Sequence, residues 1–219
     1  MKPTVVFLHG LGRTHRSLSG LRRLVGRHGY RTWGRTYPSR RMSLTDLAEQ
    51  VATSIRADLG DGPILGVTHS LGGILVRHMG SMLEWQGVVM LAPPNTGSRV
   101  AAALSANPLF RWYFGPAGGD LGDPGRWPPP PEPYAVIAGT RGATLGNVPS
   151  WMISALALLP PGERSDGTVT VAETRLPGMR GFAEVDAGHT WLMNHSRTRD
   201  LVLHFLEHRQ FRAQPPAVR

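Results

Sequence analysis

The sequence predicts an α/β fold: a minimal, mostly parallel sheet of about six strands with helices on both faces. Three observations predict it. Short apolar runs alternate with stretches of helical periodicity through most of the 219 residues. Strands separated by helices need crossover connections, which make neighbouring strands parallel. The chain is 41% hydrophobic and 18% charged, enough apolar material to bury one substantial core.

Residues 4–8, Thr-Val-Val-Phe-Leu, read as the first buried strand. Leu18, Leu21, Leu24 and Val25 then recur at helical spacing, with Gly29 placed to end that helix. Residues 30–37 read as a second strand closed by Pro38. A well-signalled helix follows: Ser43 can cap it, Asp46 stands three residues on, and Leu44, Leu47, Val51, Ile55 and Leu59 make one face before Gly60. Residues 63–68 are a third strand, 71–83 a helix and 87–91 a fourth strand. Residues 108–133, with four prolines at 128–131, read as loop. A fifth strand at 134–138, an apolar helical stretch at 151–159 and a sixth strand at 181–186 follow. The last helix covers 192–208, with Leu201, Val202, Phe205 and Leu206 as its buried side. This gives one domain over 1–209 and a polar tail at 210–219, with variable loop or lid segments at 99–133 and 141–163.

Composition excludes several chemistries. There is no cysteine, hence no disulfide, no thiol nucleophile and no cysteine-ligated zinc or iron–sulfur cluster. No His/Asp cluster has metal-ligand spacing, so neither a metal nor another cofactor is expected. Basic residues outnumber acidic ones 24 to 15, and Lys2 is the only lysine. The arginines are scattered, without the basic run and interleaved aromatics of a nucleic-acid groove, so nucleic acid is not an expected partner. No apolar run approaches the ~20 residues needed to span a bilayer, and contact with a membrane surface stays open. No signal peptide is visible, so a cytoplasmic location is expected. Oligomeric state is not legible.

Ligands of such sheets bind beyond the carboxyl ends of the strands, so the loops there carry the functional reading. After the third strand stands Thr68-His69-Ser70-Leu71-Gly72-Gly73. A serine between a buried strand and a helix can sit on a sharp turn that exposes its hydroxyl, which requires small residues two before and two after it. Gly72 meets the requirement; Thr68 stands where a glycine is usual. The plain alternative is a serine that caps the helix. After the first strand, His9-Gly10-Leu11-Gly12 can turn backbone N–H groups into a site, and the N–H groups of Leu11 and Leu71 are the natural pair for an oxyanion.

After the sixth strand, Asp186-Ala187-Gly188-His189 puts a histidine in a glycine-flanked loop, from which it can take the Ser70 proton. Nine histidines compete for that role, His9 and His69 among them, and His69 is expected to point away from Ser70. The acid must follow the fifth strand and precede His189. Asp166, in a polar Asp-Gly turn, is the best candidate; Glu163 and Glu173 remain open.

Together these pieces resemble the α/β-hydrolase superfamily, specifically its small lipases and esterases. The matching segments are VVFLHGLG at 5–12, VTHSLGG at 67–73, LAPPNTGS at 91–98, SDGTV at 165–169 and DAGHTWL at 186–192. The resemblance implies Ser70 as nucleophile, Asp166 and His189 as its partners, and Leu11 and Leu71 as oxyanion donors. It implies hydrolysis of a small-molecule or lipid ester through an acyl-enzyme intermediate. Thioester or amide hydrolysis, and a non-catalytic binding protein on the same fold, are the alternatives. Segments 99–133 and 141–163 match nothing, and substrate choice would be set there. The aromatic-dense residues 107–114 and the apolar residues 151–159 read either as ordinary core or as walls of an acyl pocket, with Trp151, Leu156 and Leu158 as candidate contacts.

Overall fold

The computed structural model describes residues 2–142 and 162–212. Six strands, β1 (Thr4–Leu8), β2 (Thr32–Trp33), β3 (Ile64–His69), β4 (Trp85–Leu91), β5 (Tyr134–Gly139) and β6 (Phe182–Val185), form one sheet in the order β2-β1-β3-β4-β5-β6. Every pairing is parallel. Between the strands run α1 (Ser19–Arg27), α2 (Leu44–Leu59), α3 (Leu71–His78), α4 (Arg99–Leu104), α5 (Pro108–Asp120) and the single turn α6 (Val171–Thr174); α7 (Ser196–His208) follows β6.

The continuous apolar runs follow from burial on both faces. Val5 and Phe7 of β1 pack with Leu21 and Val25 of α1 and with Val202 and Phe205 of α7. Val6 and Leu8 face the other way, into a core with Leu47, Val51 and Ile55 of α2 and Ile74 and Leu75 of α3. Period-two alternation thus feeds two cores from a single strand. The helix signals act as expected on α2, where Ser43 Oγ accepts from the Asp46 N–H at 3.2 Å.

Several boundaries move. Only Thr32 and Trp33 of the expected second strand pair with β1; beyond them the chain leaves the sheet, and the Trp33 indole donates to Asp58 at 2.7 Å. The helix after β3 stops at His78, well short of residue 83. The last helix begins at Ser196 after a 3-10 turn at Leu192–Asn194.

The largest difference is α5, which occupies a segment whose prolines and glycines suggest loop. Its start is well specified: Asn107 Oδ1 accepts from Leu109 N at 2.9 Å, and Pro108 takes a position where a missing N–H costs nothing. Phe110 and Ala117 anchor it in the core, and the helix kinks at Gly115, ahead of Pro116. The expected helix at 151–159 lies outside the described residues. No helix among the described residues is long and apolar enough to cross a membrane.

Asn107→Ala should cost about 0.5–2 kcal/mol and Asn107→Gly only a few tenths, because glycine adopts a cap conformation without help from a side chain. Urea unfolding of the two variants measures the difference; equal, negligible losses would remove the cap from the account of α5.

Candidate active site

Ser70 sits between β3 and α3 with φ +53 and ψ −121, a conformation that L side chains seldom adopt. It is not a cap: its hydroxyl accepts no bond from the first turn of α3, and it makes no hydrogen bond with any described residue. The turn is held from both sides. The Ser70 N–H donates to Leu91 O at 2.9 Å, and Gly73 N–H donates back to Ser70 O at 2.8 Å. The first turn of α3 lies against the end of β1, where a Cβ on Gly72 would stand 2.5 Å from Leu8 O. Any side chain there would drive α3 off the strand, so glycine at this position is a packing requirement.

His189 follows β6 and Asp166 follows β5, and the structure brings them together. His189 Nδ1 lies 2.7 Å from Asp166 Oδ2. The other carboxylate oxygen accepts from the backbone N–H groups of Thr168 at 3.0 Å and Val169 at 2.8 Å. The His189 N–H also donates to Asp166 O at 3.0 Å, so main chain and side chain clamp the two loops together. Because Nδ1 donates to the carboxylate, Nε2 is left as the nitrogen able to accept a proton. A Cβ on Gly139, the last residue of β5, would stand 2.5 Å from Ala187 O and 2.7 Å from Asp166 Cβ, so this glycine is what lets the two loops close over the strand end.

The other acids have different work. Glu163 pairs with Arg99 at 2.7 Å. Glu173 forms a capping box with Thr170 and accepts from Arg99 N–H. Asp186 forms an exposed pair with Arg141.

Ser70 and His189 line one cavity of about 250 Å³, together with Leu11, His69 and side chains from α4 and α5. No family model matches the sequence, and no significant match appears among curated proteins. Solved structures do match. Mature lipase BlEst2 of Bacillus licheniformis superposes with a TM-score of 0.71 at 20% identity, covering 94% of this chain and 92% of that one. The metagenomic carboxyl esterase MGS0156 gives 0.66 at 19%, over 94% and 76% of the two chains. The thioesterase RedJ of Streptomyces coelicolor gives 0.53 at 15%, over 94% and 84%.

The chain has the α/β-hydrolase fold.

In this α/β-hydrolase sheet the loop after β1 is built around a buried histidine. The His9 ring stacks on Tyr37 with centroids 3.7 Å apart. Its Nδ1 donates to Gly10 O at 2.9 Å and its Nε2 accepts from Tyr37 N–H at 3.2 Å. The Tyr37 hydroxyl donates to His9 O at 2.5 Å, and Gly12 N–H donates to Ser39 Oγ at 3.0 Å. The backbone N–H groups of Leu11 and Leu71 donate to no described acceptor. Leu11 lines the cavity; the Leu71 side chain is buried in the core beneath it.

His69 corrects an expectation. It does not turn out of the site: its ring lies tilted against His189 at 4.7 Å and it lines the same cavity. Its Nε2 donates to His189 O at 3.0 Å. The reversed backbone at Ser70 breaks the strand's alternation, so adjacent residues both reach the site. Burial, with the charges of His189 and Arg13 adding to it, holds His69 well below the usual histidine pKa, as a neutral donor. Trp151, Leu156 and Leu158 lie outside the described residues. Among the described residues no group of His, Asp or Glu could hold a metal.

Burial lowers the His9 pKa from 6.5 to about 4. The unfolded chain therefore binds the extra proton first, and stability is full above pH 6.5 and falls as pH drops toward 4. The loss expected from this group across that window is about 3 kcal/mol. Imidazole carbon shifts read by NMR should show His9 neutral at pH 6, and a His9 titration near 6.5 would overturn the assignment.

Proposed function

We propose that the chain is a serine hydrolase of carboxylic esters, esterase- or lipase-like, with Ser70 as nucleophile, His189 as general base and Asp166 as the acid that orients it. One observation carries the reading: a buried carboxylate 2.7 Å from the Nδ1 of a histidine that shares a cavity with a serine on a strained strand–helix turn. A structural serine has no need of positive φ, and a structural Asp–His pair has no need of a cavity beside it.

The chemistry follows from those roles. Ser70 Oγ attacks the ester carbonyl carbon while its proton passes to His189 Nε2. Asp166 keeps Nδ1 protonated and stabilises the imidazolium that forms. The carbonyl oxygen becomes an oxyanion, for which the free N–H groups of Leu11 and Leu71 are the candidate donors. The tetrahedral intermediate expels the alcohol, which takes the proton from His189. Water, deprotonated by the same nitrogen, then releases the acid and restores Ser70. No metal or other cofactor enters these steps. Ser70 and His189 are not yet in hydrogen-bond contact, as is common before substrate fills a site.

Similar structures named lipase, carboxyl esterase and thioesterase support acyl transfer as the reaction class. Thioesters remain the competing substrate, since the same groups would cleave them. Val100 and Ala101 of α4 and Phe110 and Phe114 of α5 line the cavity and are further candidate substrate contacts.

A fluorophosphonate probe should label the wild-type protein at Ser70 and leave Ser70→Ala unlabelled; no labelling would favour a non-catalytic binding protein. With p-nitrophenyl esters, Ser70→Ala and His189→Ala should each lose several orders of magnitude in turnover, because such residues act as a unit. Asp166→Asn should lose ~10⁴-fold while Glu163→Gln stays near wild type. A mild loss at Asp166→Asn beside a severe one at Glu163→Gln would transfer the acid's role to the glutamate.

A further inference from the structure

The cavity lining is largely apolar and carries a single formal charge among its described residues. Val100, Ala101, Phe110, Phe114 and Leu121 form the apolar wall. No aspartate or glutamate lines it; the one charged side chain among its described lining residues is Arg13, in the loop after β1. Arg13 is half-buried, yet its guanidinium makes no ion pair and no hydrogen bond with any described residue. Residues 143–161 and 213–219 include no aspartate or glutamate. Asp166, the acid of the site, already accepts from His189 and two backbone amides.

Withdrawing a guanidinium from water without a partner is unfavourable. Burial lowers the Arg13 pKa accordingly, and its charge in turn disfavours protonation of His9 and His69. The protein thus maintains an unneutralised cation beside the serine, while other arginines with carboxylates at hand, such as Arg35, Arg56 and Arg99, are paired. A planar guanidinium presents a donor fork matched to two oxygens of an oxyacid anion.

We propose that Arg13 binds an anionic oxyacid group, phosphate or carboxylate, on the alcohol side of the substrate. The substrate is then an amphiphilic ester: an acyl chain against the apolar wall, the scissile carbonyl at Ser70, and an anion a few bonds beyond the ester oxygen. One bound molecule could meet both groups because Arg13 and Ser70 line the same cavity. This deepens the hydrolase reading and rests on it.

Three decanoyl esters test it: decanoylglycerol, which is neutral, decanoylglycerol phosphate, and the decanoyl ester of glyceric acid. Wild type should favour at least one anionic ester over the neutral one in kcat/KM by ~10-fold or more, chiefly through KM. Arg13→Met should lower that ratio ~10- to 100-fold, and Arg13→Lys, which keeps the charge but loses the fork, should lower it less. Which anionic ester shows the preference separates phosphate from carboxylate. In unmutated protein the ratio should also fall as sodium chloride is raised, a reading independent of whether the variants fold.

Hydrolysis of the neutral ester with no anionic preference, or a ratio that Arg13→Met and salt leave unchanged, overturns the Arg13 proposal and leaves the hydrolase reading intact. Equal loss of kcat on all three esters in Arg13→Met also overturns it, by making Arg13 a contributor to the reaction centre. If no ester is cleaved, the hydrolase reading fails, and calorimetry of Ser70→Ala with decyl ethers of glycerol and of glycerol phosphate decides Arg13 separately. Tighter binding of the phosphate ether, abolished by adding Arg13→Met, supports the anion site; equal binding of the two ethers ends it.

Discussion

The backbone at Ser70 is the constraint on which the rest of the site depends. A non-glycine residue held at φ +53 stores about 1–3 kcal/mol of strain. It persists because the elements on either side cannot relax. β3 is buried along its whole length between β1 and β4, and α3 is pressed against the end of β1 at Gly72. The usual arrangement relieves crowding with a glycine two residues before the serine, and this chain has Thr68 there. The relief comes from the other side of the turn. A Cβ on Gly73 would stand 2.8 Å from Pro93 Cβ and 3.4 Å from Thr68 Oγ1, so the second glycine of the Gly72-Gly73 pair makes the room that Thr68 takes up. Thr68 Oγ1 is left buried without a described partner, which is the cost of the exchange.

From that turn the site is assembled by loops beyond parallel strands, several of them joined by buried polar contacts. His69 donates to the carbonyl of His189; His189 is clamped at two points to Asp166; and the Asp166 loop rests on Gly139 at the end of β5. On the opposite flank His9 ties the loop after β1 to Tyr37, and the Gly12 N–H ties it to Ser39. Neutral donors suit these joints. A charged imidazole at His69 or His9 would set a second cation near Arg13 in a medium that screens it poorly. Burial prevents this by lowering both pKa values.

How much of this was legible in the sequence divides by the range of the interactions. The strands were legible because burial on both faces leaves continuous apolar runs, and α2 was because its cap and apolar face are local. Ser70, His189 and Asp166 could be singled out as candidates because each stands in a loop beyond a strand, and chain order restricted the choice of acid. The extent of β2 was not, since the pairing of residues 30–37 depends on where β1 ends. α5 was hidden by composition: Pro108 begins a helix as readily as it breaks one, and the kink at Gly115 masks the periodicity. His69 was expected to point away from Ser70; the positive φ at Ser70 puts both residues on the cavity. Gly139 carries no local signal at all; only the approach of Ala187 and Asp166, 48 and 27 residues further along, gives it a role.

The electrostatics of the cavity follow from the same construction. Among the described residues Asp166 is the carboxylate that contacts His189, and its oxygens accept from the imidazole and two backbone amides. The amino end of α3 directs its unpaired N–H groups toward the turn at Ser70, adding partial positive charge where an oxyanion would develop. The flanking histidines are held neutral, so they contribute hydrogen bonds and no net charge. What remains uncompensated is Arg13. The carboxylate of Asp166 thus has its hydrogen-bond partners in place, and the guanidinium of Arg13 has none among the described residues. An anion at Arg13 would supply the missing partner, and the guanidinium keeps its charge across the pH range in which His9 and His69 are uncharged.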